Sequence, residues 1–348
     1  MAKKVEKWGT DFRLDEVFLV TLTNRGGAMV ALSNYGARIV SVVVPDANGK
    51  MDNVVLGYDT LEGYLKGCEY FGATVGRFAN RIANAQFTLD NHTYTLDANA
   101  GKHHLHGGKV GFSHRTWRME EVEGDNIAKF SIVSPAGEGG FPGELVSTVT
   151  YIWDDSNILR IVIDAIADAK TIVNYTQHSY FNLGGEGSGV VDSHLLEVKA
   201  SNYLATDDAL VPTGELVCVD SSPLDFRKAK LLGDALKSNA IPIVVANGLD
   251  HCWAIDNWSG ELVEVACLSH PTSGRAMRVR TTFPGIQVYT SNGLDGVVLG
   301  RAGHVYGHRD AVCLEPQLFP DSPNHPSFPS CVLLPNERFT HIIEYSFT

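Results

Sequence analysis

With 348 residues, 44% of them hydrophobic and 20% charged, the chain can build a large buried core and is not of disordered composition. Its net charge of −12 repels nucleic-acid phosphates and anionic lipid, and no basic cluster longer than Lys3-Lys4 offsets it, so both are excluded as expected partners. Six cysteines, at 68, 218, 252, 267, 313 and 331, form no C-x-x-C pair and read as reduced thiols buried as small hydrophobes, with neither zinc nor a disulfide framework expected.

The basic start, Lys3 to Lys7, is interrupted by Asp11, Arg13, Asp15 and Glu16 before any apolar run of signal-peptide length. No segment reaches the roughly 18 apolar residues of a membrane span, so a cytoplasmic protein is expected. Strand-like runs then recur to the end of the chain: Val17 to Leu22, Ala28 to Ser33, Ile39 to Val44, Gln86 to Leu89, Thr93 to Leu96, Ile127 to Val133, Leu145 to Trp153, Ile158 to Ala167, His194 to Lys199, Leu262 to Leu268, Met277 to Thr282 and Ile286 to Thr290. Turn formers such as Asn24-Arg25-Gly26-Gly27 and Asp154-Asp155-Ser156-Asn157 separate them. Helices are expected at Thr60 to Leu65 and from Ser222, as N-cap, through Leu236. Strands do not alternate with long helices, which disfavours a parallel βαβ architecture. With no linker or fixed-period repeat, residues 1–348 read as one all-β domain, and Gly185 to Gly189 as a loop beside the site.

Chemistry-bearing residues appear in the same order. Arg77 and Arg81 stand four apart in a stretch with little other charge; Arg77 is as readily a surface salt-bridging residue as a functional one. In His103-His104-Leu105-His106, His104 and His106 would share a strand face, but the ligand pattern is too sparse for zinc. A hydrogen-bonding His106 at the Gly107-Gly108 turn, with His103 and His104 solvated, is the expectation. From Asn174 to Asn182, period-2 geometry places Asn174, Thr176, His178, Tyr180 and Asn182 on one face, suited to a polar ligand. Asp250 follows a turn and can accept two hydroxyl hydrogen bonds, while Gln287 and Tyr289 share a strand face. Glu315 ends the apolar run Ala311 to Leu314, where a buried carboxylate needs partners or a task. No G-x-S-x-G, Walker A or strand-coupled G-x-G-x-x-G occurs.

Taken together, Asn80-Arg81, Leu105-His106-Gly107-Gly108, His178-Ser179-Tyr180-Phe181-Asn182-Leu183, Leu249-Asp250-His251 and Glu315 resemble the galactose mutarotase, or aldose 1-epimerase, family over nearly the whole chain. The resemblance implies a large antiparallel β-sandwich, the supersandwich of that family, with one or two short helices and an open cleft for one hexose. It implies Glu315 as catalytic base and His178 as acid, with Asn80, Arg81, His106, Asp250 and Gln287 holding a free aldohexose, glucose or galactose. No cofactor is implied, and the assembly is expected to be a monomer or homodimer. A hexose-6-phosphate 1-epimerase and a non-catalytic sugar-binding or regulatory module are the alternatives. The chain departs from the family pattern at Pro316, at Phe283 and at Gly293, where an aromatic is common; the last two positions are expected to bear on sugar preference. A carboxylate base paired with a histidine acid also predicts a bell-shaped pH profile, with the histidine pKa raised by Glu315 or Asp250.

Overall fold

The computed structural model describes all residues, 1–348, and nearly every expected strand is present, most within one or two residues of the expected ends. Three antiparallel sheets carry the fold. The N-terminal sheet runs in chain order through Ala2–Thr10, Glu16–Thr23, Met29–Ser33, Arg38–Pro45 and Met51–Asn53. A nine-stranded sheet has Leu145–Trp153, Ile158–Ala167 and Arg338–Phe347 near its middle, so the C-terminal strand closes against segments read nearly 200 residues earlier. The third sheet has six strands in the order Tyr180–Phe181, Val312–Gln317, Gly285–Tyr289, Asp250–Ala254, Asn202–Thr206 and Pro212–Cys218.

The alternation of residues in the six-stranded sheet explains where the site lies. Ile286 and Val288 share a core cluster with Val312, Leu314 and the nine-stranded sheet's Val149, Ile161, Ile163 and Tyr345. Each such side chain, fully buried, stabilises the sandwich by about 1.5–3 kcal/mol. The Tyr345 hydroxyl donates to the Leu314 carbonyl at 3.0 Å, tying the two sheets. Period-2 geometry turns Gln287, Tyr289, Cys313 and Glu315 to the opposite face. Antiparallel register then places Gln287 opposite Glu315 and Asp250 opposite Tyr289.

Three helices, all short, are present: α1 (Leu61–Lys66), α2 (Leu232–Leu236) and α3 (Ile241–Ala246). The helix expected from Ser222 forms only at its end. The Ser222 hydroxyl accepts the Leu224 N–H within a turn, Leu224 and Phe226 are drawn into the core, and Lys230–Leu231 pairs as a strand with Leu195 and Leu196. Helix α3 was not expected, because Ile-Val-Val reads as strand; Pro242 in its first turn and Asn247 at φ 53° beyond its end set its limits instead. No helix is long and apolar enough to cross a membrane.

Several expectations about single residues need correction. Arg77 is buried, donating to the carbonyls of Pro142 and Gly143 at 3.0 and 2.9 Å, so it braces the interior and makes no surface salt bridge. Cys68 and Cys218 are exposed, and Cys267 is partly so, leaving Cys252, Cys313 and Cys331 as the buried thiols. The Gly185–Gly189 loop does not line the cleft; Glu186 bonds the Tyr306 hydroxyl and Gly185 lies against Asp52. Phe283 is fully buried and stacks on His341 at 4.0 Å, far from any role in sugar preference through contact.

Candidate active site

A cleft of about 270 Å³ opens on the outer face of the six-stranded sheet. All seven expected site residues, Asn80, Arg81, His106, His178, Asp250, Gln287 and Glu315, line it. They come from six places in the chain that only the sheet and its flanking hairpins bring together.

The floor is supplied by strands. Glu315 is 2% exposed, and its Oε1 lies 3.7 Å from Nε2 of His178, a contact longer than a hydrogen bond. Burial raises the Glu315 pKa well above the ordinary carboxylate range; the nearby charge of Asp250 adds to this and Arg81 opposes it. Burial pulls His178 down to about 4, against the opposing effect of its own backbone carbonyl and of Asp250. The expected elevation of the histidine is therefore reversed: removing the ring from water outweighs the attraction of Asp250. The expected single strand from Asn174 to Asn182 is also broken. Thr176–His178 pairs with Ala73–Val75, and Tyr180–Phe181 pairs with Val312 and Cys313. His178 and Tyr180 reach the cleft, whereas Asn174 bonds the carbonyls of Ala79 and Leu318 and Asn182 those of Gly189 and Asp310.

One wall is a polar relay. Gln287 donates its amide to Asp250 Oδ1 at 2.6 Å, and Arg81 sits 3.5 Å from Asp250 Oδ2. Asp250 opens the strand Asp250–Ala254, so its carboxylate is held at an end where hydroxyls can reach it. Opposite, Asn80 and His106 lock each other: the His106 N–H donates to the Asn80 carbonyl at 3.0 Å, and the Asn80 N–H donates to His106 Nδ1 at 3.2 Å. Since Nδ1 accepts, the uncharged His106 ring carries its proton on Nε2 and is a donor there. Both residues have positive φ, 65° and 50°, so His106 stands on a turn and not on a strand face shared with His104. His104 is buried against the Asp97 carbonyl and His103 accepts the Asn84 N–H, so neither is a solvated histidine as expected.

Sequence reasoning missed Tyr70, Glu69 and Cys68, which form the rim. The Tyr70 ring lies 4.7 Å from that of His106 and 5.8 Å from that of His178. Glu69-Tyr70-Phe71 follows a helix with no periodic signal, and only the aromatic residue itself hinted at a role. His178, Cys313 and Glu315 have donor atoms within 4.8 Å of one another. Cys313 meets the ring at Nδ1 and Glu315 at Nε2.

A family profile described as aldose 1-epimerase matches residues 19–346. The chain belongs to the aldose 1-epimerase family. It is therefore an isomerase. Galactose mutarotase from Rattus norvegicus is 41% identical over 92% of this chain and 91% of its own length, and the human protein of that name is 40% identical over the same shares. Aldose 1-epimerase from Escherichia coli K12 is 35% identical over 94% of both chains. Among solved structures, an aldose epimerase homologue from C. elegans aligns with TM-score 0.88 at 32% identity, covering 95% of this chain and 98% of that one. A galactose 1-epimerase from Lactobacillus acidophilus aligns with TM-score 0.87 at 29% identity, covering 100% and 99%. These members of the epimerase family share the supersandwich and extend over the same length of chain.

Proposed function

We propose that this cleft interconverts the α and β anomers of a free aldohexose, glucose or galactose, with Glu315 as base and His178 as acid in a single domain spanning 1–348. Anomer interconversion of aldoses is the activity of the family; the residue assignments rest on geometry and chemistry. Opening a pyranose ring requires a proton to leave the C1 hydroxyl while one reaches the ring oxygen. Both oxygens are bonded to C1, so the base and acid must converge on one carbon. The 3.7 Å separation of Glu315 Oε1 and His178 Nε2 is the observation that carries this reading. A glycosidase needs its two carboxyl groups about 5–5.5 Å apart to retain configuration, or roughly 6.5–9.5 Å to admit a water.

In the forward step Glu315 takes the O1 proton as the C1–ring oxygen bond breaks, His178 Nε2 gives its proton to the departing ring oxygen, and Glu315, 3.7 Å from Nε2, passes the O1 proton on to that nitrogen, so the imidazole ends as neutral as it began. Rotation about C1–C2 presents the other face of the aldehyde, and reclosure runs the transfers in reverse. Arg81, Asp250 and Gln287 hold sugar hydroxyls, Asn80 fixes His106, and His106 Nε2–H orients the ring oxygen. Arg81 is the one cation lining the cleft and already faces Asp250, while Glu69, Asp250 and Glu315 supply negative charge, which speaks for a neutral sugar over a hexose 6-phosphate.

Polarimetry of freshly dissolved α-D-glucose and α-D-galactose, with and without protein, tests the reading. Faster decay of rotation to the same end point is expected. A decay unchanged by saturating protein, with sugar binding retained, would instead favour the non-catalytic module.

A further inference from the structure

We propose that the thiol of Cys313 is a positioning group for His178: it donates its S–H to Nδ1 and so keeps a proton on Nε2, facing the sugar, while the ring is uncharged. This deepens the reading of His178 as the acid and rests on it.

Cys313 Sγ lies 3.6 Å from His178 Nδ1, within reach of a sulfur hydrogen bond. Cys313 and Glu315 are two apart on the strand Val312–Gln317, so period-2 geometry aims both at the same imidazole. One strand thereby meets both ring nitrogens, Nδ1 with a thiol and Nε2 with a carboxylate. The rings of Tyr70 and Tyr180 lie nearly parallel to the imidazole, at 20° and 19°, with centroids 5.8 and 5.0 Å away. Packed flat against such neighbours, the ring is held to the orientation in which those edge contacts are made. Its own backbone carbonyl, the other acceptor near that edge, takes the Gly72 N–H at 2.9 Å on one of its two lone pairs.

The identity of the atom at Nδ1 decides what the ring can do. A carbonyl there would accept from Nδ1–H and leave Nε2 bare, the arrangement of a general base. A thiol can donate as well as accept. With the ring neutral, S–H donates to Nδ1 and Nε2 carries the proton; with the ring charged, Nδ1–H donates to sulfur and Nε2 still carries one. Complete burial, together with the charges of Glu315 and Asp250, pushes the Cys313 pKa well up, so the S–H is present to donate. His106 is set the same way, with the Asn80 amide in the place of the thiol.

The test combines nitrogen NMR on protein carrying ¹⁵N-histidine with polarimetric kinetics at neutral pH. In the wild type, His178 is expected to show a bare Nδ1 and a protonated Nε2. Cys313→Ala should shift that pattern and lower kcat about tenfold, the equivalent of one hydrogen bond, with KM within roughly twofold. Cys313→Ser, which keeps a donor, should restore the wild-type tautomer and most of kcat. Equal kcat in the Ala and Ser variants overturns the inference, as does a bare Nε2 in the wild type. Should the Ala variant not fold, the wild-type and Ser spectra and the Ser rate decide alone. His178→Asn separates the two readings. A wild-type rate there removes the acid assignment and the inference with it, whereas a slow His178→Asn alongside a bare wild-type Nε2 overturns the inference only.

Discussion

Glu315 and His178 show how little a residue's ordinary pKa says once it is buried. Their shifts run in opposite directions from the same cause, loss of water, so the histidine is uncharged at a pH where the carboxyl still holds its proton. A mechanism requiring ionised Glu315 together with charged His178 would then use a minor state at every pH. A mechanism requiring only a proton on Nε2 gains as Glu315 ionises. The expected kcat/KM profile therefore rises with pH through a midpoint above the ordinary carboxylate range, and does not fall as His178 titrates, because that titration lies near 4, below the rise. A bell with an alkaline limb in the neutral range that vanishes in His178→Asn would restore the charged acid. Glu315→Gln keeps the shape and removes the proton acceptor. Its kcat should drop by about 10²–10⁴, the usual contribution of a positioned acid or base, while sugar binding persists. Anomer equilibration at the wild-type rate would reject the assignment.

At the scale of elements, the site depends on a turn that tolerates no side chain. Gly107 has φ +84°, and a Cβ built there would lie 1.9 Å from the Gly76 carbonyl oxygen. Gly107→Ala must push apart the segments carrying His106 and Arg77, at a cost of about 1–3 kcal/mol in strain. Thermal denaturation should show a lowered Tm and polarimetry a raised KM. Gly101→Ala is the control: its φ is +61°, but nothing lies within 4 Å, so Tm should fall slightly with KM unchanged. Equal effects on KM at the two positions would show that the Gly107 turn does not position His106. Among the strands, those long and alternating, such as Leu145–Trp153 and Ile158–Ala167, were legible to the residue. The segment Ser222 to Leu236 was not, since its helical spacing of leucines lost to core burial of Leu224 and Phe226 and to pairing at Lys230–Leu231.

The molecule as a whole is acidic, with net charge −12, and the cleft shares that balance. A neutral sugar approaches such a surface without an electrostatic barrier, so kcat/KM for glucose or galactose should vary little with salt. A hexose 6-phosphate is repelled and finds no unpaired cation in the cleft. Its kcat/KM should be lower by about tenfold or more, one lost charge-assisted hydrogen bond being worth roughly that much. Equal rates for glucose and its 6-phosphate, measured at low salt, would bring the phosphosugar reading back.

From sequence alone came the all-β class, the strand runs, the family resemblance and seven of the residues that line the cleft, because alternation and motif identity are local and survive being read one segment at a time. Tertiary structure decided what those residues can do. The 3.7 Å approach of Glu315 to His178, the Cys313 thiol at the far side of the ring and the Tyr70 rim join segments more than 100 residues apart, and no local pattern encodes such distances. It also decided the direction of the pKa shifts. Burial is a property of everything packed around a group, so a histidine that motif reading expected to be charged is held neutral by the sheet that positions it.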